Sequence, residues 1–551
     1  MSRKRNARAA APQKKAAPPR VPGWHTWLRL AVVTLLCAIA AALFSPFNTL
    51  LPVLMVPAVI GLCAGSWLRR PLWAAVAGFV ASLSGCWAVL SVYADASFVN
   101  WVQTRMPQYS VQDTTGAIFA FIRAMIAEHP LTVARVGGEG VLVVAVMSLL
   151  TAGIAAGVAW WRSGEATASR TAITAWVAVG LLTTCFVYTA WTGTVDFRAS
   201  IASEPADGSY AYDPVFNVKT YYMMARGIGF YDAYVYAMSK DSRRVGTSGI
   251  IDGKITTGSP MMLRQPNAFY LWRIAGWAGV DGILALSIAA CAAILVASFG
   301  VLRKAAATRA LFVPLVLFPG LMLHTVWLNI FFPDWWAALA ILGSALLLLG
   351  RRYWEAGVLA VLAILFRETA GAWALALTAG AVFLWLRGQR EWRAKAIAYI
   401  AGMVGAVALF AVHYVSGLPY FVRNENTSSF SLISMLAPNV SATLDWKLMG
   451  PTSYLMQPYG LYAFPTAFVL PAASAGFWLS LPTGSIERLV LTVYPLMMLL
   501  YLLIIGATSS YWGQIVMPVG LIGAALLFAR ADRLVIGLVS PAEAADQSDD
   551  E

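Results

Sequence analysis

Histidine, cysteine and charge are all scarce in this chain, and each shortage closes a route. Its 551 residues include four histidines and five cysteines. Cys37, Cys63, Cys86, Cys185 and Cys291 lie singly inside apolar runs, without metal-ligand spacing, so neither a disulfide framework nor a zinc site is expected. His25, His129, His324 and His413 are scattered. Only 12% of residues are charged while 59% are hydrophobic, a balance that no soluble domain of this length sustains. The ten-residue alternation of a membrane barrel is missing, which leaves helices as the spanning form. No internal repeat of fixed period is visible, which weighs against a transporter built from inverted repeats.

What the chain does have is apolar runs close to the roughly 20 residues that cross a bilayer core as a helix. Spans are expected at Trp27–Phe44, Leu51–Trp67, Leu72–Val92, Val141–Trp160 and Ile173–Trp191. Others follow at Ile283–Val301, Leu311–Ile330, Trp335–Leu349, Ala396–His413, Tyr462–Leu481, Leu489–Ile505 and Ile515–Phe528. The short connections "WLRRP", "WWRSGEATASR", "LRKAAATR", "LGRRYW" and "LRGQREWRAK" are basic. All fall on one side if the N-terminus is cytosolic, as the positive-inside preference requires.

The apolar stretch Glu355–Leu386 lies between two of these basic connections. It must leave and return, yet two full crossings need roughly 40 residues. Its helices are therefore expected to be short, broken or re-entrant, with Arg367 and Glu368 near the turn on the outer side. Counting it as two gives about fourteen spans in an all-α polytopic membrane protein. Residues 1–26 form a basic Pro/Ala-rich cytosolic tail and residues 531–551 a second cytosolic tail.

Three long segments emerge outside: Tyr93–Gly138, Thr192–Gly276 and Val415–Gly460. In the second, "YAYDPVFNVKTYYMMARGIG" reads as a helix capped by Asp213, with Pro214 at its first position and Gly227 as its stop. Val215, Val218, Tyr222 and Ala225 share one face, which suits a helix lying in the membrane interface. Asp232 reads as the cap of a second short helix. The tyrosines fit an aromatic belt.

Further polar groups gather toward the same side. His324 lies in the outer half of its span, Asp281 opens a span, Asp334 follows "FFP", and Arg367 with Glu368 interrupts an apolar run. Charges at membrane depth are expensive and face a wet cavity or a partner. As helix neighbours, Arg367 and Glu368 are expected to point to different partners.

The outer-loop pattern "YYMMARGIGFYDA" behind an acid, then "LRQPNAFYLW", together with "FFPDWWAALAILGSALLLLGRRYWEAGVLAVLAILFRETA" and "SSYWGQIVMPVGLIGAA", resembles the polyprenyl-phosphate-sugar-dependent glycosyltransferases of the GT-C fold. The likeness covers residues 171–530, whose outer loops are 192–276 and 415–460. Residues 27–170 form an added module of about four spans. The resemblance implies an inverting transfer of sugar to an acceptor hydroxyl on a glycan, lipid or protein. An outer-loop aspartate acts as base: Asp213 is the best match and Asp196 the runner-up.

Arg264 and Arg367 are the candidates for the donor phosphate, with Glu368, Asp334, His324 and Tyr222 around it. Without an Asp-x-Asp in the loop, the question of a divalent cation stays open. No nucleotide cofactor and no nucleic-acid partner are expected, while membrane lipids are. The location implied is a bacterial inner membrane with both termini cytoplasmic. The alternative is a lipid or glycolipid flippase, which needs polar residues deep in the inner halves of the spans, where few are seen. A glycan polymerase leans on an outer loop rich in arginine and histidine, and Thr192–Gly276 contains no histidine.

Overall fold

The computed structural model describes residues 27–28, 30–34, 50–68, 70–94, 133–162, 167–206, 213–239, 250–251, 254–255, 265–306, 310–326, 329–420, 466–505 and 518–528. Arg264, residues 1–26 and 531–551 and most of residues 93–138 and 415–460 lie outside the described residues. What is described is helical, apart from one two-residue antiparallel ladder that pairs Ile250–Ile251 with Lys254–Ile255. Among the described residues, five helices are long and apolar enough to cross a membrane: Val144–Arg162, Ala172–Thr192, Val280–Arg303, Glu368–Leu386 and Trp392–Tyr420. The described part is thus predominantly helical, with apolar helices that suit a membrane. Six shorter apolar helices accompany them.

Helices α1 (Leu50–Trp67), α2 (Pro71–Ala94) and α3 (Val133–Arg162) pack on one another, and α1 also packs on α4 (Thr167–Thr192). Lipid offers little hydrophobic drive between helices, so close approach over small residues supplies the attraction. Gly61 and Gly65 of α1 provide it. A Cβ on Gly65 would stand 2.6 Å from Val158 Cβ, and one on Gly61 would stand 3.1 Å from Ile154. Arg162 closes the join, because its buried guanidinium donates to the Gly65 carbonyl at 2.9 Å and also to the Ser66 carbonyl. Those carbonyls end α1 and have no partner within the helix. Trp67 stacks on Phe312 at 5.2 Å, which joins these helices to the next group.

The chain continues through α5 (Val195–Ser200), α6 (Asp213–Ala225), α7 (Phe230–Ser239) and α8 (Pro266–Ala275). Helix α6 starts at Asp213 as expected, and Gly227 at φ +92° ends it, in a backbone region that disfavours a side chain. Its environment differs from the expectation. Phe216 to Met224 are buried except for the half-buried Tyr222. The helix is enclosed rather than laid in the interface, since it packs on α7, α8 and the 3-10 turn Asn329–Phe331. Asp232 also differs: it lies in the first turn of α7 and accepts a hydrogen bond from Tyr420 at 2.9 Å.

Helices α9 (Val280–Ala306), α10 (Phe312–Val326), α11 (Pro333–Leu349), α12 (Tyr353–Phe366) and α13 (Gly371–Leu386) follow. At about 1.5 Å per residue, α12 is about 21 Å long, short of a bilayer core of about 30 Å, and α13 is about 24 Å and reaches crossing length only with the turn that precedes it. The break between them falls at Arg367, where the backbone is extended, followed by a 3-10 turn at Glu368–Ala370. The interruption and the short first helix were anticipated from length. Helices α14 (Trp392–Gly417), α15 (Thr466–Ser480), α16 (Ile486–Ile505) and α17 (Pro518–Phe528) complete the described part.

Candidate functional site

Asp334 and Arg367 come together at the ends of α11 and α12 remote from the Arg351–Arg352 turn that joins them. Asp334 stands in the first turn of α11, behind Pro333, where the partial positive charge of a helix start favours a carboxylate. It is completely buried. Arg367 Nε donates to Asp334 Oδ1 at 2.9 Å. Its Nη1 meets Glu368 Oε1 at 3.3 Å. The side-chain exposures are 0% for Asp334, 8% for Arg367 and 37% for Glu368.

Neighbouring Arg367 and Glu368 therefore share an ion pair instead of pointing to different partners. The helical rule does not apply, because Arg367 sits in extended backbone at φ −153° and ψ 123°.

Polar contacts from α6 and α8 hold this corner. Asn217 of α6 donates through Nδ2 to the Phe331 carbonyl at 2.7 Å, three residues before Asp334. Asn267 of α8 donates to the Leu365 carbonyl at 2.8 Å, two residues before Arg367. The indoles of Trp335 and Trp336 donate to Ser287 Oγ at 3.0 Å and to the Ile330 carbonyl at 2.7 Å. The ring of Trp272 meets Phe331 with centroids 5.4 Å apart.

Around this framework the Asp334 Oδ2, Asn217 Oδ1 and Trp272 Nε1 atoms are buried without a hydrogen-bond partner among the described residues. Buried polar atoms with unused capacity cost stability. Here they mark a corner that packing alone does not explain.

The other predicted residues divide. Asp213 opens α6 one helical turn before Asn217, so the best-matched acid lies on the element tied to the Asp334 corner. Asp196 lies on α5 and His324 near the end of α10. Tyr222 is half-buried and donates to the Ile201 carbonyl at 2.6 Å, which ties α6 to the end of α5. Burial, with a smaller contribution from Tyr221, raises its phenol above the ordinary value, so it stays a neutral donor.

Sequence reasoning missed Asn217 and Lys219. Lys219 is buried 3.4 Å from Glu204, which also meets Arg226. The available signal was an Asn and a Lys inside an otherwise apolar helix that starts at an acid.

No family model, curated protein or solved structure matches this chain. Among the described residues, no three or more His, Cys, Asp and Glu side chains gather where they could hold a metal ion. Cys63, Cys86, Cys185 and Cys291 are buried.

Proposed function

We propose that this protein is an integral membrane glycosyltransferase of the GT-C type. It has about fourteen spans and transfers a sugar from a polyprenyl-phosphate donor to an acceptor hydroxyl on the extracytoplasmic face. The acceptor belongs to a glycan, a lipid or a protein. The setting is a bacterial inner membrane with both termini in the cytoplasm.

The observation that carries this reading is the buried Asp334–Arg367 pair, with the half-exposed Glu368 on it, beside the helix that Asp213 begins. A donor phosphate at headgroup level needs a fixed cation, and arginine provides planar, permanently charged donors. Arg367 takes that role, with Arg264 as its partner. Asp213 accepts the acceptor hydroxyl proton while the oxygen bonds to the anomeric carbon. The bond from that carbon to the phosphate oxygen breaks, and polyprenyl phosphate leaves with the electron pair. Attack opposite the leaving group inverts the anomeric centre. A positioned base contributes about 10²–10⁴-fold to such a step, and fixed cations stabilise the charge growing on phosphate.

The test uses purified parent and Asp213→Asn with radiolabelled polyprenyl-phosphate monosaccharides and a membrane extract as acceptor source. Transfer by the parent, reduced at least about 100-fold in the folded variant, supports both the reaction and its base. Transfer that survives in Asp213→Asn moves the role to Asp196. If lipid binds but no donor is consumed with acceptor shown to be present, the flippase reading takes over.

A further inference from the structure

Arg367 is not an open cation. One guanidinium faces two carboxylates, so the group as it stands carries a formal charge of −1 and repels an arriving anion. The two carboxylates are not equivalent. Asp334 has no exposure, bonds Nε at 2.9 Å and sits at a helix start, so it cannot leave without stranding a buried charge. Glu368 is 37% exposed, meets Nη1 at the longer distance of 3.3 Å and belongs to the short 3-10 turn Glu368–Ala370. It is the member of the group that reaches solvent.

We infer that Glu368 is a displaceable place-holder: its carboxylate occupies the face of Arg367 that a phosphate group takes, and it swings outward when the phosphate binds. Asp334 stays behind and keeps the guanidinium aimed. The inference rests on the proposed reading in naming the phosphate as that of a prenyl-phosphate lipid. The chemistry recognised, a phosphate oxygen on a forked guanidinium, would equally take a free phosphate.

A place-holder has a second consequence. After transfer, the leaving prenyl phosphate carries more charge than the donor did, and the returning Glu368 competes with it for Arg367. Removing that competition should tighten binding and slow release, so KM and kcat should fall together. A residue that only supports the fold would not produce that pattern.

The experiment compares full-length parent, Glu368→Gln and Glu355→Gln in detergent. Each is titrated with farnesyl phosphate, with inorganic phosphate and with farnesol. Gln keeps the shape of the half-exposed Glu368, and matched elution and melting profiles check the fold. Glu355 is an exposed partner of Arg352 at the other end of α12, so its variant removes the same formal charge away from the corner.

The expected result is about fivefold to tenfold tighter farnesyl phosphate binding by Glu368→Gln, a tenfold gain being about 1.4 kcal/mol. Farnesol binding and the Glu355→Gln variant should not change. An equal gain for inorganic phosphate, with no added affinity from the prenyl chain, keeps the place-holder but makes its ligand a free phosphate. Unchanged or weaker phosphate binding by Glu368→Gln overturns the inference, as does the absence of phosphate binding to either protein.

Sugar transfer is measured separately. Transfer by the parent with no gain in Glu368→Gln sinks the place-holder alone. A gain without transfer by the parent sinks the transferase and leaves the place-holder standing.

Discussion

Two arginine–aspartate pairs in this protein have nearly the same geometry in opposite surroundings. Arg198 meets Asp281 at 3.0 Å and Arg367 meets Asp334 at 2.9 Å, and each acid lies in the first turn of an apolar helix. Asp281 is 54% exposed and Asp334 is 0% exposed. The exposed pair trades water for a screened contact and gains little. The buried pair has given up the hydration of both ions, a cost that the mutual attraction in a dry corner roughly offsets. An apolar pair of the same volume would serve the fold as well, so the presence of charge at Asp334 calls for a reason beyond folding.

The largest expected effect separates those two reasons. Asp334→Ala leaves Arg367 buried beside the weaker, half-exposed Glu368 and should destabilise by about 3–5 kcal/mol, read as a lower unfolding midpoint in detergent. The double variant Asp334→Leu with Arg367→Met removes both charges and should recover most of that loss. If the pair serves the transfer reaction, the recovered protein stays inactive. Activity in the double variant would reduce the pair to a structural one.

A middle-sized effect is expected at Asn217. Asn217→Leu removes the donor to the buried Phe331 carbonyl and should cost about 1–3 kcal/mol. It should also lower transfer, because α6 loses its tie to the corner one turn from Asp213. Loss of stability with transfer intact would detach Asp213 from the Asp334 site.

The break in the buried pair's neighbourhood was readable from length. The stretch Glu355–Leu386 between two basic connections is too short for two crossings, and the chain breaks at Arg367. The start of α6 at Asp213 and its stop at Gly227 were also legible, because proline and glycine constrain the backbone locally. The pairing of Arg367 with a residue 33 positions earlier was not legible. Periodicity says which residues share a face, but not which distant element covers that face. The same gap explains α6. Its apolar face was visible, but Asn217 and Lys219 find their partners in Phe331 and Glu204, and those partners let the polar side be buried too. The hydrogen-bond partner of Tyr222 was not legible either, because the Ile201 carbonyl lies 21 residues away.

The smallest effect completes the comparison. Asp281→Asn should change stability by no more than about 1 kcal/mol and should leave transfer at the parent level. Arg198 keeps two other anchors when the carboxylate charge is removed: its guanidinium lies 4.3 Å from the Trp191 ring centroid, and its Nη2 donates to the Trp191 carbonyl at 3.0 Å. Because Asp281 is open to solvent, even this small difference should shrink as salt is raised, whereas the effect of changing Asp334 should barely respond to salt. A loss for Asp281→Asn comparable to that for Asp334→Ala would show that exposure does not set the worth of these pairs. The case for a functional charge at Asp334 would then fall with it.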